Sequence, residues 1–231
     1  GLGARVTLMA RNAERLEEAR RSLSQPERHG TAQADFSRPK EVKAAIESVV
    51  NAQPVHILVN NTGGPAGGPI VDAEVEAFMN TFQQHLVCNH LLAQAVLPGM
   101  KAAGYGRIIN VISTSVKQPL NNLGVSNTIR GAVANWAKTW ANEVGVHGIT
   151  VNNVLPGATN TARLEQIVSN KASKTGASTA EIRAQMANAV PMKRTGEPEE
   201  VGRAIAFLAS PSASYISGIN LPVDGGRTSS L

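Results

Sequence analysis

The chain has 231 residues, 42% of them hydrophobic, which is enough for a substantial buried core and too many for a disordered segment. Its formal charge of +5 comes from scattered Lys and Arg, and with 3% aromatic residues and no basic block it lacks the footprint of a nucleic-acid binder. No apolar run reaches the ~18–20 residues that a membrane span needs. The opening "GLGARVTLMARN" lacks the layout of a signal peptide, and a single cysteine, Cys88, rules out an internal disulfide, so a cytoplasmic setting is the simple expectation.

In chain order, "RVTLMA" (5–10) reads as a short buried strand. "NAERLEEARRSL" (12–23) reads as a helix with Asn12 as N-cap and Leu16, Ala19 and Leu23 on one face. "TAQAD" (31–35) is a strand ending in an acid, after which Ser37 and Pro39 open a helix carrying Val42, Ile46 and Val49. "VHILVN" (55–60) is a continuous apolar strand leading into a glycine-rich loop, "NTGGPAGGP" (61–69). Asp72 is expected to cap the helical stretch that runs on and off to about Lys101.

"RIINVI" (107–112) is the next strand, and "NNLGVSNTIRGAVANWAKTW" (121–140) is a loop running into a helix. "GITVNNVL" (148–155) is a strand closed by Pro156 and Gly157. Residues 161–189 have a polar helical pattern, 198–210 form a helix with Pro198 near its start, and "INLPVDGG" (219–226) is a last strand and turn. Strands alternating with helices give βαβ units and a parallel sheet covered on both faces. The expectation is one doubly wound α/β domain over 1–231, with no linker. Ligands of such sheets bind beyond the carboxyl ends of the strands, so Arg11, Asp35, Asn60, Ser113 and Pro156 are the residues to read.

With Asp35, "NNTG" (60–63), "INVIS" (109–113), "VNNVLPG" (151–157) and "VDGG" (223–226) in order, the sequence resembles the short-chain dehydrogenase/reductase family over nearly its whole length. Its nearest look is to the 3-oxoacyl carrier-protein reductase type. The resemblance implies a Rossmann-like sheet, usually in homodimers or homotetramers, and hydride transfer between a nicotinamide cofactor and a small carbonyl or alcohol, with no metal. It places Asp35 and the Phe36 backbone on the adenine, Asn60 and Gly63 along the adenosine, and Pro156, Gly157 and Thr159 beside the nicotinamide. Arg11 stands where members that prefer NAD carry an acid, and a cation there favours the 2′-phosphate of NADP. Residues 158–196 would form the substrate lid, and partner subunits would dock through the helix at 123–145 and the helix before it. Bland readings stand beside these: Asp35 as a turn cap, Arg11 as a solvated surface residue, Asn60 as a tie between strands.

Two departures qualify the resemblance. The family opens with a strand and a TGxxxGxG turn leading into a helix. Gly1-Leu2-Gly3 resembles only the last part of that motif, so the first strand and its glycine-rich turn are expected to be missing, by truncation or with a partner supplying the piece, and the chain as written is expected to bind a dinucleotide poorly. That leaves a place unfilled between the strands at 5–10 and 55–60. The second departure is catalytic. Ser113 matches the family's serine, but thirteen residues on Ser126 holds the tyrosine position, and Arg130 holds the lysine position one helical turn later. A serine hydroxyl is less acidic and shorter than a phenol, whereas an arginine keeps the positive field but cannot relay a proton. His85 falls at the position of the family's helix asparagine, as a proton shuttle or as a satisfied helix histidine. Three readings stay open: an NADP-preferring carbonyl reductase or alcohol dehydrogenase, with 3-oxoacyl thioesters among its candidate substrates; a non-catalytic scaffold that binds a nucleotide or a protein; and an inert, truncated fragment of the first.

Overall fold

Six strands and eight helices alternate along residues 3–230, the span that the computed structural model describes; Leu231 and the Gly1-Leu2 part of the glycine pattern lie outside the described residues. β1 (Thr7–Ala10) leads to α1 (Ala13–Ser22), which is capped by Asn12, whose Oδ1 accepts the Arg15 amide at 2.9 Å. After β2 (Gly30–Gln33), α2 (Pro39–Ala52) starts with the proline at a position whose N–H has no helical partner in any case, and it buries Val42 and Ile46. β3 (Ile57–Asn60) enters the glycine-rich loop, followed by α3 (Val75–Phe82) and α4 (Cys88–Ala103). β4 (Gly106–Val111), α5 (Gly124–Val144) and β5 (Ile149–Pro156) form the middle of the chain. α6 (Ala162–Thr175), α7 (Thr179–Asn188), α8 (Pro198–Ala209) and β6 (Asn220–Val223) complete it.

All the pairings are parallel, as the alternation of strands and helices requires. β3, β4, β5 and β6 lie side by side in that order, while β1 pairs with β2 in a separate two-stranded sheet. Among the described residues, no backbone pairing joins β1 to β3. The wider sheet is covered on both faces. On one side Ile108 and Val151 pack with Leu92 and Val96 of α4 and with Ala137 and Trp140 of α5. On the other side Ile109 and Val154 meet Leu208 of α8. No helix among the described residues is long and apolar enough to cross a membrane.

Three local expectations are corrected. The apolar run of β3 is not buried throughout: Leu58 and Asn60 face inward, but Ile57 and Val59, on the opposite face of the strand, are exposed because that face is left uncovered here. Asp72 does not cap α3; it ends a 3₁₀ turn (Ile70–Asp72), and Glu74 holds the N-cap position. Ser37 does not cap α2, which has Arg38 at its N-cap; its amide and hydroxyl bond Asp35 instead.

One feature ties the four-stranded sheet together through side chains. Asn60, Asn110, Asn153 and Asn220 occupy the same register level on β3, β4, β5 and β6. Each amide donates to the next: Asn60 Nδ2 to Asn110 Oδ1 at 2.8 Å, Asn110 Nδ2 to Asn153 Oδ1 at 2.9 Å, and Asn153 Nδ2 to Asn220 Oδ1 at 2.8 Å. The first three are buried, so each of these bonds replaces water that cannot reach them. Asn110→Ala removes a group bonded on both sides and leaves two buried partners bare, which is expected to cost about 3 kcal/mol. Asn220→Ala, at the half-buried end, should cost roughly 1 kcal/mol. Urea unfolding of the two variants checks the ranking.

Candidate active site

The ladder lies just below the carboxyl ends of β3 and β4, and the polar groups of the candidate site stand immediately above it. Arg130, on the second turn of α5, is 8% exposed and reaches across these ends. Its Nη1 donates to the Val111 carbonyl at 2.9 Å, one residue past Asn110. Its Nη2 donates to the Thr62 carbonyl at 3.4 Å, two residues past Asn60. Burial lowers the guanidinium to about 10, which leaves it charged at neutral pH.

Ser126 lies on the same helix one turn earlier, half-buried, and its hydroxyl has no hydrogen-bond partner among the described residues. Ser113 follows Val111 by two residues and is also half-buried; its Oγ accepts the Ser115 amide at 3.1 Å and caps a 3₁₀ turn. The helix can begin this close to the glycine-rich loop because residue 124 has no side chain. A Cβ there would stand 2.5 Å from Cβ of Ile70, and the Gly124 amide donates to the Gly68 carbonyl at 3.2 Å.

His85 sits in a π turn (Gln83–Val87) between α3 and α4, the kind of one-residue bulge that recurs at functional sites. The ring is 1% exposed, with Nδ1 2.5 Å from Oγ1 of Thr62 and Nε2 buried without a partner among the described residues. Burial first, and the nearby Arg130 charge second, press its pKa down to about 4, with the Gly63 backbone pulling the other way. The imidazole is therefore neutral at pH 7 and sealed from solvent. Thr62 was not singled out from the sequence, although the signal was present: it is the residue by which "NNTG" differs from the family's NNAG.

The residues assigned to the cofactor are spread along the same edge. Arg11 is exposed at the end of β1, and its carbonyl accepts from Gln33 Nε2 at 3.0 Å. Asp35 accepts the Ser37 amide at 2.9 Å and the Ser37 hydroxyl at 2.8 Å, and these bonds hold its pKa low. Its carboxylate therefore does act as a local turn cap. The Phe36 carbonyl accepts Cys88 Sγ at 3.3 Å. Gly63 is exposed, and a Cβ there would meet nothing within 4 Å. Pro156 ends β5; Gly157 donates its amide to Val223 at 3.0 Å, and a Cβ on it would stand 2.8 Å from Cβ of Asp224. Thr159 Oγ1 donates to the Gly157 carbonyl at 3.2 Å.

Neither tyrosine reaches the site. The Tyr105 hydroxyl donates to the Ala209 carbonyl at 2.8 Å, before the start of β4 and so at the opposite end of the sheet from Ser113. Tyr215 is fully exposed.

A parallel sheet with a buried cation and bare glycine backbone beyond its strand ends has the architecture of a dinucleotide-binding α/β enzyme. A family model described as enoyl-(acyl carrier protein) reductase matches residues 1–228. The NADPH-dependent reductase BacG of Bacillus subtilis (strain 168) is 30% identical, across 98% of this chain and 89% of its own. The 3-oxoacyl-[acyl-carrier-protein] reductase FabG of Vibrio cholerae serotype O1 is 34% identical over 83% of this chain and 75% of its own. The crystal structure of L-sorbose reductase from Gluconobacter frateurii, complexed with NADPH and L-sorbose, superimposes with a TM-score of 0.92 at 32% identity, covering 99% of this chain and 89% of that one. The chain belongs to the short-chain dehydrogenase/reductase family.

The His85 environment makes stability depend on pH. The ring titrates near 6.5 when free and near about 4 in the fold, so between these values the unfolded chain holds the extra proton. Its contribution to stability is complete above the unfolded value and is lost as pH falls toward the folded one, by up to about 3 kcal/mol. His85→Asn should flatten the loss of stability between pH 6.5 and pH 4.5, as read from urea midpoints across that range.

Proposed function

We propose that this protein is a reductase that transfers hydride between NADP(H) and a carbonyl or alcohol, with 3-oxoacyl thioesters among the substrates to test first. The observation that carries the reading is the Arg130 guanidinium, held charged between the ends of β3 and β4 at the family's lysine position. Three features of the chain fit a bound dinucleotide: this cation, the uncluttered backbone at Gly63, and the cation of Arg11 at the end of β1. The relatives described as NADPH-dependent or complexed with NADPH support the choice of cofactor.

NADPH, when bound, supplies the hydride. In this reading Arg130 binds the ribose and keeps a positive field where negative charge develops on the substrate oxygen. The Ser113 hydroxyl orients that oxygen, and Pro156, Gly157 and Thr159 shape the nicotinamide end. Asn60 holds the strand end in place, while Asp35 and Phe36 set the adenine end. Ser126 cannot deliver a proton as a phenol does, so the final proton comes from water admitted beside it. His85, buried and neutral, acts through Thr62 and Arg130 and does not touch the substrate.

Residues 158–196 close over the site as a lid on a single domain. Arg163 Nη2 already donates to the Pro65 carbonyl of the glycine-rich loop at 2.9 Å, and Gly196 donates its amide to Ala158 at 2.9 Å across the base of the segment. Docking of α4 and α5 between copies completes a homodimer or homotetramer in this proposal.

The unpartnered Ser126 hydroxyl favours the competing reading of a scaffold that binds nucleotide without turnover. Titration with NADPH and NADH, followed by assays with ketones and 3-oxoacyl thioesters, separates the two. NADPH should bind more tightly than NADH. Arg11→Glu should weaken NADPH binding by about tenfold or more, by removing a charge-assisted phosphate contact, and should leave NADH little changed. Turnover lost in both Ser113→Ala and Arg130→Met supports the reductase. Tight NADPH binding with no turnover, and activity created only by Ser126→Tyr, supports the scaffold.

A further inference from the structure

Thr62 uses two of its atoms to hold two buried groups of the site. Its carbonyl accepts from Arg130, and its hydroxyl oxygen lies against Nδ1 of His85. The second contact decides where the proton of the imidazole sits. A neutral ring carries one N–H. On Nε2, that N–H would be a buried donor without a hydrogen bond among the described residues, since the Gly63 backbone near the ring stands outside hydrogen-bond geometry. On Nδ1 it meets Thr62 Oγ1, and only a lone pair is left bare. Orphaned donors are rarer in folded proteins than under-satisfied acceptors, so the second arrangement is favoured. The positive charge of Arg130 nearby keeps the ring from taking a second proton, and the choice between the two neutral forms is left to the hydrogen bond.

We propose that Thr62 is a positioning residue: its hydroxyl accepts from Nδ1–H of His85 and fixes that tautomer, while its carbonyl anchors the guanidinium of Arg130. A single loop residue thereby sets both the orientation of the buried ring and the place of the buried charge. With its oxygen engaged by the ring, the Thr62 hydroxyl turns its own hydrogen away from His85. Thr62 is half-buried, so this hydrogen is a donor at the edge of the crevice.

The catalytic consequence rests on the hydride-transfer reading, but the tautomer does not, and it is measured without turnover. Long-range ¹H–¹⁵N correlation spectra of the whole chain labelled with ¹⁵N-histidine, recorded at pH 7, distinguish a protonated from a bare ring nitrogen; His85 is assigned by the signal lost in His85→Asn. The wild type should show protonated Nδ1 and bare Nε2. Thr62→Val, which keeps the shape and removes the hydroxyl, should lower the preference for that form at least tenfold, and Thr62→Ser should restore it. A wild-type ring protonated on Nε2 overturns the proposal even if no variant folds. The same result follows if Thr62→Val lowers the melting temperature but leaves the ring pattern unchanged. If the protein turns over a ketone, kcat should fall in Thr62→Val, with KM for NADPH held, and recover in Thr62→Ser. A kcat equal to wild type in Thr62→Val would overturn the catalytic consequence while the spectra still decide the tautomer.

Discussion

The asparagine ladder is the constraint on which the candidate site depends. Parallel strands can slip against one another unless something fixes their register, and a one-residue slip would turn every inward side chain outward. Here three amide–amide bonds join four strands at one level. The two carbonyls that hold Arg130 lie one and two residues beyond that level, on different strands. Both fall under one planar guanidinium only because β3 and β4 are locked side by side. The charge at the heart of the site is thus placed by neutral groups beneath it.

The buried polar groups above the ladder form a linked set. Arg130 is lowered by burial yet remains a cation, and His85 is lowered by burial and by that cation and remains neutral. One charge is retained and satisfied by backbone carbonyls, and a second beside it is prevented. This is the arrangement expected where two cations would share a site with little solvent to screen them. In the proposed correspondence with the family's Tyr-x-x-x-Lys arrangement, Arg130 keeps the positive field, while Ser126 offers only a short, weakly acidic hydroxyl in place of the acid.

Much of the scaffold was legible from local signals. Asn12 caps its helix as its side chain predicts, Pro39 and Pro198 mark helix starts, and the runs that became β4 and β5 are buried along their length. The exposure of Ile57 and Val59 was not legible, because an apolar run does not reveal whether both of its faces are covered. The ladder was equally hidden. Its members are separated by 50, 43 and 67 residues, and each asparagine by itself reads only as a polar residue in a strand. In the site, the motif positions of Ser113, Ser126, Arg130 and His85 could be read from spacing. The contact between Thr62 and His85 could not, since it depends on how a loop and a helical bulge meet across 23 residues of chain. Asp35 shows the opposite case, where the plainest local reading, a turn cap, is the one its hydrogen bonds display.

The π turn at Gln83–Val87 also governs the phase of the long helix behind it. Such a turn is an α-helix with one residue inserted, and each residue advances a helix by about 100°. The wide turn absorbs that extra residue, so the helix behind it keeps its phase and Leu92, Val96 and Met100 stay turned inward. Drawn into regular α-helix with no residue lost, the same segment would swing the following cylinder by that angle and bring the more exposed flank of α4 onto the sheet. The irregularity that aims one imidazole therefore also keeps a sixteen-residue helix in step with its core.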